Sequence, residues 1–491
     1  MQSITTSRSR RSVRAATVLT GLLALGATTL SAGPAQAGAA PAQVADRTTI
    51  TVDPHQRYQV VDGFGFSEAF QRARQIQNLS PDTRQQVLDL LFSDDKGAGL
   101  TILRNGIGSS PSDDQDWMKS IEPASPGSPG ATPHYVWDGD DNGQVWLTKQ
   151  ARKYGVKNVY ADAWSAPGYM KTNGDDRNGG ELCGVRGTDC ATGDWRAAYA
   201  KYLVQYLKFY AQEGIDVTHV GFTNEPDLTT EYASMRSDGY QAADFLKVFG
   251  PLLEKSDLKT KIAFGEATGW RDQEEMLQEM KSVPGADQYV DTVVGHGYQS
   301  EPSSPLSTDK PTWQSEWADL DGDWNNHWDA IGKAGEGLEW ANKIQDSFTE
   351  GNVSAFLYWI GAENTGSNSA LIQLKDGKAD ASARLWAMAQ FSRFVKPGAH
   401  RIGTKNPNSL LGVSAFRNQD GSIAVQVINN GHEQASTTLA LPGVNGVSVE
   451  RYLTNEGNHL SAQAPVRGVG GRLTADVPAR SMVSFVIPAK G

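Results

Sequence analysis

Two glutamates stand at the ends of short apolar runs, and they are the residues best placed to do chemistry. In "HVGFTNEPDL" (219–228) a run that reads as a buried strand ends at Asn224, Glu225 and Pro226. In "KPTWQSEW" (310–317) a second run ends at Ser315, Glu316 and Trp317. Alone, each is weak evidence, because a tripeptide such as Asn-Glu-Pro also caps helices. Together they suit hydrolysis of a sugar acetal. That reaction needs one carboxylic acid to protonate the leaving oxygen and one carboxylate to attack or to activate water. Glu225 is the candidate acid/base and Glu316 the candidate nucleophile. Asn224 is placed to hydrogen-bond a sugar 2-hydroxyl, and Arg104 to hold Glu316 ionised. Trp164, Trp317 and Trp359 offer flat apolar faces for sugar rings, and His296 and Tyr298 complete the candidate binding set.

These residues are useful only if the fold gathers them. Apolar runs ending in polar residues recur at 58–70, 99–110, 157–167, 218–226, 260–269, 289–299, 310–317 and 353–361. Helical patterns lie between most of them. "SPDTRQQVLDLLF" opens with Ser80 as N-cap and Pro81 at the first helical position. "GDWRAAYAKYLVQYLKFYAQEG" has Asp194 as the expected cap and Gly214 as the stop, with Tyr199, Leu203, Tyr206, Leu207 and Tyr210 on one face. The sixth and seventh runs are joined by too little chain for a full helix. Eight such units in about 340 residues is the arithmetic of an α/β fold, a (β/α)8 barrel, whose function collects at the C-terminal ends of the strands.

Beyond about Val395 the helical spacing stops, and alternating strands separated by turn signals such as "NQDGS" predict an antiparallel β-sandwich. The β-like stretch at 48–61 is expected to join it, so that the sandwich is built from both termini. The expected organisation is 1–37 leader, 38–60 N-terminal β segment, 61–395 barrel and 396–491 sandwich.

The leader is read from Arg8, Arg10, Arg11 and Arg14, the apolar "TVLTGLLALGATTL", and small residues at Ala35 and Ala37. These predict a secretory signal cleaved after Ala37 and an extracellular protein, by an export route that is left open. A membrane anchor is the alternative, but the stretch is short and rich in Gly and Thr. In that setting Cys183 and Cys190, the only cysteines, read as a loop-stapling disulfide. The chain carries 45 Lys and Arg against 56 Asp and Glu, a net charge of −11, which argues against nucleic-acid and anionic-membrane partners. A monomer acting on a neutral polysaccharide, without cofactor, is expected. His296 with Glu266 raises the question of a metal, yet two polar residues on different strands are ordinary barrel residues more often than a site. Glu266 is expected to cap a helix or hold a network, and Glu68 to be a supporting partner or a solvated residue.

With these residues in view, the chain resembles glycoside hydrolase family 30. The resemblance is carried by "DGFGFSEAF", "WSAPGYMKTNG", "GFTNEPD", "HGY", "WQSEWADL" and "LYWIG", and spans nearly the whole mature chain. It implies a retaining enzyme with the acid/base on the fourth barrel strand and the nucleophile on the seventh. "GFGFSEAFQRA" and "LCGVRGTDC" look like the branch of secreted fungal-type xylanases. The resemblance therefore implies an endo-β-1,4-xylanase or glucuronoxylanase acting on plant cell-wall polysaccharide. An endo-β-1,6-galactanase or other β-1,6-glycanase is the alternative within the family. Outside that class stands a non-catalytic carbohydrate-binding protein, against which the intact glutamate pair argues. A transglycosylase would use the same carboxylates. Arg72, in "SEAFQRAR", is expected to reach the cleft mouth and bind a glucuronate branch, with a surface ion pair as its alternative role.

Overall fold

The computed structural model describes residues 47–114 and 117–489; the expected leader lies outside the described residues. The first strand, β1 (Thr48–Val60), precedes eight strands that run parallel. These are β2 (Gly63–Ser67), β3 (Ile102–Ile107), β4 (Asn158–Ala163), β5 (His219–Val220), β6 (Lys261–Ala267), β7 (Thr292–His296), β8 (Thr312–Glu316) and β9 (Ala355–Glu363). Each pairs with its neighbour, and β9 pairs with both β2 and β8, which closes the barrel.

The surrounding helices are α1 (Arg72–Gln77), α2 (Pro81–Phe92), α3 (Gln144–Lys153), α4 (Arg196–Gln212), α5 (Gly239–Glu254), α6 (Trp270–Lys281), α7 (Gly337–Thr349) and α8 (Ala383–Ser392). The Ser80 hydroxyl caps α2 as expected, with Pro81 at its first position. Helix α4 starts at Arg196, two residues beyond the expected cap; Asp194 instead accepts from the Arg196 N–H. Among the described residues no helix is long and apolar enough to cross a membrane.

Two layers of apolar packing fix the barrel. Inside, Ile102, Tyr160, Ala263, Val294, Trp313, Ala355 and Leu357 fill the lumen. Outside, the helices bury Phe64, Leu103, Val159, Val293 and Phe356 against their own apolar faces. Alternation along each strand sends successive side chains to opposite layers. The lumen is therefore solid, and function is confined to the rim above it.

A hairpin unforeseen from the sequence, β10 (Ala370–Lys375) and β11 (Lys378–Ala381), extends the sheet beyond β9. Its signal was the Asp376-Gly377 turn, where both residues have positive φ (51° and 72°), as a tight hairpin requires. The sandwich comprises β12 (His400–Lys405), β13 (Leu411–Arg417), β14 (Ile423–Asn429), β15 (Ala435–Ala440), β16 (Ser448–Asn455), β17 (Asn458–Arg467), β18 (Arg472–Val477) and β19 (Ser481–Ile487). Strand β1 lies within this sheet, antiparallel to β12 and parallel to β15. Ile50 and Val52 enter its core beside Val425, Val427 and Phe485.

Candidate active site

Residues from six strand ends and one loop converge on the rim. Arg104 on β3 is fully buried. Its Nη1 donates to Glu316 at the end of β8. Its Nη2 lies 2.8 Å from Asp162 Oδ2, 2.7 Å from Asn224 Oδ1 and 3.1 Å from Glu266 Oε2. Glu266 also bonds His296, and accepts from the Tyr160 hydroxyl at 2.6 Å and the Ser315 hydroxyl at 2.9 Å. The Tyr298 hydroxyl donates to Glu316 Oε1 at 3.0 Å. Glu225 sits opposite: His296 Nδ1 is 3.5 Å from its Oε1, and the Tyr232 hydroxyl donates to its Oε2 at 2.7 Å. One carboxylate oxygen each from Glu225 and Glu316 lie within 4.8 Å of one another.

Local sequence explains the arrangement. Strand β5 is only two residues long, and the chain then passes close to Asp162: a Cβ at Gly221 would meet Asp162 Oδ1 at 2.0 Å. The backbone then turns sharply. Glu225 has φ +45° and Glu266 φ +67°, a region that side-chain-bearing residues rarely adopt. A hydrogen bond of 2.8 Å from the Glu225 N–H to the Glu266 carbonyl locks the two turns together. At the end of β8 an extra residue, Ser315, interrupts the register with β7, so that Ser315 and Glu316 both reach the site.

Burial alone would raise every carboxyl here, and the two cations decide the outcome. Arg104 and His296 overcome burial at Glu266 and hold it at about 2. Surrounding carboxylates overcome burial at His296 and push it up to about 10. Asp162 is raised well above its usual range, because burial and the Glu266 charge exceed the pull of Arg104. Burial also raises Glu316, against His296 and Arg104. At Glu225 burial is outweighed by His296, with help from Tyr232 and Arg104, and the carboxyl is lowered. Two carboxyls this close titrate as a pair; burial directs their shared proton to Glu316, and it is the bonds that Arg104 and Tyr298 donate to both Glu316 oxygens that favour the opposite sharing, with the proton on Glu225.

The structure corrects several expectations. Trp317 turns away from the site: its ring packs edge-on against Trp340 of α7 and lies under Lys343 Nζ at 4.2 Å, because it follows Glu316 and faces the opposite layer. Arg72 points to Glu363, with Nε 3.1 Å from Oε2, and its Nη1 donates to the Phe70 carbonyl at 2.6 Å. Its guanidinium is thus engaged by the fold itself, the ion-pair role that was the alternative. Arg104 and His296 are fully buried among their partners and have no surface with which to touch substrate. They act through the carboxylates. Trp164 lies beneath the site, with the Arg104 guanidinium 4.5 Å from its ring centre and Trp359 at 5.8 Å. Asn224 stands as expected at the site, with its Nδ2 lacking a protein partner. Glu266 is the hub of the charge network, and Glu68 is buried, accepting from the Ala362 N–H at 2.8 Å.

Sequence reasoning missed Tyr160, Asp162, Phe70 and Tyr232. The first two belong to β4, a strand whose end offers Trp164 as its conspicuous residue in sequence. Tyr232 lies in a loop without periodicity, and nothing local marks it. Cys183 and Cys190 are bonded, and no free cysteine exists among the described residues.

A closed barrel carrying two near carboxylates on its fourth and seventh strands defines a glycosidase of the two-glutamate type. The family model described as O-glycosyl hydrolase family 30 matches residues 47–293, and that of the glycosyl hydrolase family 30 beta sandwich domain matches 398–485. The catalytic domain of GH30 xylanase C from Talaromyces cellulolyticus superposes with a TM-score of 0.84 at 45% identity, covering 90% of this chain and 100% of that one. The endo-1,6-beta-D-glucanase of Trichoderma harzianum is 24% identical, over 93% of this chain and 90% of its own. The glucuronoxylanase XynC of Bacillus subtilis is 24% identical, over 71% and 79%. The chain belongs to glycoside hydrolase family 30 and is a retaining glycoside hydrolase.

Proposed function

We propose that the protein is a secreted endo-β-1,4-xylanase in which Glu225 is the acid/base and Glu316 the nucleophile. The observation that carries the catalytic assignment is the approach of the two carboxylates within 4.8 Å. That is compatible with the short carboxyl separation, about 5–5.5 Å, of double displacement. Arg104 and Tyr298 fix both oxygens of Glu316 and aim it as an attacking group. In the first step Glu225 gives its proton to the glycosidic oxygen while Glu316 bonds to the anomeric carbon. In the second, Glu225 takes a proton from water, which displaces Glu316. The Asn224 amide is held by Arg104 through its oxygen, and its buried Nδ2 has no hydrogen-bond partner among the described residues, which leaves that donor for a sugar 2-hydroxyl once substrate enters the site.

Xylan is favoured by the 45% identity to a xylanase over 90% of the chain. A β-1,6-glycan is the second reading, supported by the more distant kinship with β-1,6-glucanases. Export is supported by the leader read at 1–37 and by the disulfide. Product analysis on glucuronoxylan, arabinoxylan, β-1,6-galactan and β-1,6-glucan tests the substrate. Xylo-oligosaccharides of several lengths are expected early in the reaction. Release from a β-1,6-glycan alone overturns the xylanase reading, and single-unit release from one chain end overturns endo action.

A further inference from the structure

Tyr232 is the part of the site that neither the leading chemistry nor the sequence accounts for. It is 40% exposed, unusual for a large aromatic ring, yet its hydroxyl is fixed at 2.7 Å from Glu225 Oε2. We propose that Tyr232 is a positioning residue that holds the Glu225 carboxyl for the general-base half of the reaction. This rests on the assignment of Glu225 as the acid/base.

The first support is that the hydroxyl is held in place by structure built for it. Its ring meets Phe70 edge-on at 5.9 Å, and Phe70 meets Trp164 edge-on at 5.3 Å and Trp359 at 6.4 Å. Phe70 and Gln71 have φ of 52° and 65°, a left-handed pair at the turn that carries the Phe70 ring. The loop bearing Tyr232 is tied to the preceding loop from both sides of that residue. The Asn178 N–H donates to the Thr230 carbonyl at 2.8 Å, and the Ser234 N–H to the Asp176 carbonyl at 2.9 Å. The Arg236 N–H donates to the Gly180 carbonyl at 2.7 Å. Buried Lys171 reaches the Ser234 carbonyl at 2.6 Å.

The second support is the direction of the hydrogen bond. Partial enclosure of its hydroxyl and the Glu225 charge raise the Tyr232 phenol, so it stays protonated and donates. A donated bond stabilises the carboxylate and opposes its protonation. Glu225 also faces His296, Arg104, Tyr298 and Glu316. In the glycosyl-enzyme Glu316 is an ester, so its repulsion on Glu225 is gone and the two cations and Tyr232 act in one direction. Water attacks the anomeric carbon, its proton passes to Glu225, and the bond to Glu316 breaks to release that carboxylate. Tyr232 thus favours the state from which Glu225 accepts the proton.

The test uses the full chain and Tyr232→Phe, which keeps the ring packing and removes only the hydroxyl. The substrate is an activated aryl glycoside of whichever glycan the enzyme cleaves, for which the second step limits kcat. The expected result is a fall in kcat of about tenfold, restored by azide, which needs no proton removed. The alkaline limb of kcat/KM moves up by about one pH unit, because the Glu225 proton is held more tightly. An unchanged kcat and limb, or a lowered melting temperature with an unchanged pH profile, overturns the proposal. Glu225→Ala run in parallel separates the two readings. If that variant keeps its turnover, the acid/base assignment itself fails; if only Tyr232→Phe is silent, the assignment stands and this inference falls.

Discussion

Arg104 holds Glu316 from a position fully screened from solvent, and the same guanidinium orients Asn224, Asp162 and Glu266. One cation therefore pulls Glu316, the proposed nucleophile, toward its charged form against burial, and aims its neighbour Asn224. Replacing Arg104 by Gln removes the group that favours the Glu316 carboxylate, so the pKa of Glu316 rises. The acid limb of kcat/KM should move up by about 1–3 units, and kcat/KM at neutral pH should fall by about 100-fold or more. A pH–rate profile checks both; an unmoved acid limb contradicts the role.

The two glutamates should fail differently. Glu316→Gln should abolish turnover on every substrate. Glu225→Gln should spare aryl glycosides with good leaving groups more than polysaccharide, since these need less protonation. Equal losses on both would contradict the acid role. Proton NMR of the first-formed product should show the retained anomer.

His219 gives the fold a pH dependence separate from catalysis. It is buried on the ring of Trp313 at 4.4 Å, and burial, aided by Lys261, lowers it to about 3. The unfolded chain binds a proton there near pH 6.5 and the native state does not, so stability falls as pH drops from 6.5. The loss from this one group should be about 2 kcal/mol by pH 5, near 1.4 kcal/mol per unit. His296, raised to about 10, contributes stability that is fully present below 6.5 and is lost progressively as pH rises from 6.5 to 10, so its slope enters only at the top of this window. Asp141 and Asp346, both raised to about 6 by burial, add the opposite slope below pH 6 to both chains, so the check is a difference: urea unfolding should show the stability gap between wild type and His219→Gln shifting by about 2 kcal/mol between pH 7 and pH 5.

Arg72→Ala should affect stability rather than specificity. Its partner Glu363 is almost fully buried, and the neighbouring Glu68 is raised well above the carboxylate range by burial, with the Glu363 charge adding to it. Leaving Glu363 without that cation should cost about 3 kcal/mol. The ratio of kcat/KM on glucuronoxylan to that on an undecorated xylo-oligosaccharide should be unchanged. A tenfold fall in that ratio would restore a substrate role.

The Cys183–Cys190 bond closes a loop of seven-residue separation, next to the segment that anchors Tyr232. Replacing both by Ser should cost about 2.5 kcal/mol in the chain-entropy account. Differential scanning calorimetry with and without reductant measures it; an unchanged melting temperature would show that the loop is already ordered by its hydrogen bonds.

The sequence by itself determined the barrel and the sandwich, and it singled out the two glutamates proposed to be catalytic. Strand and helix periods are local, so they survive in a linear reading, and a carboxylate closing an apolar run is visible without coordinates. It also announced Asn224, Arg104, His296 and Tyr298 as neighbours, because strand ends of a barrel share one rim. Direction was decided only in three dimensions. Trp317 follows Glu316 and so faces the helices, while the extra residue Ser315 brings two successive side chains to the site. Arg72 met Glu363 across 291 positions of chain, a pairing that no local pattern encodes. Tyr232 reached Glu225 because two irregular loops bind each other through backbone groups, whose hydrogen bonds leave no mark in residue type.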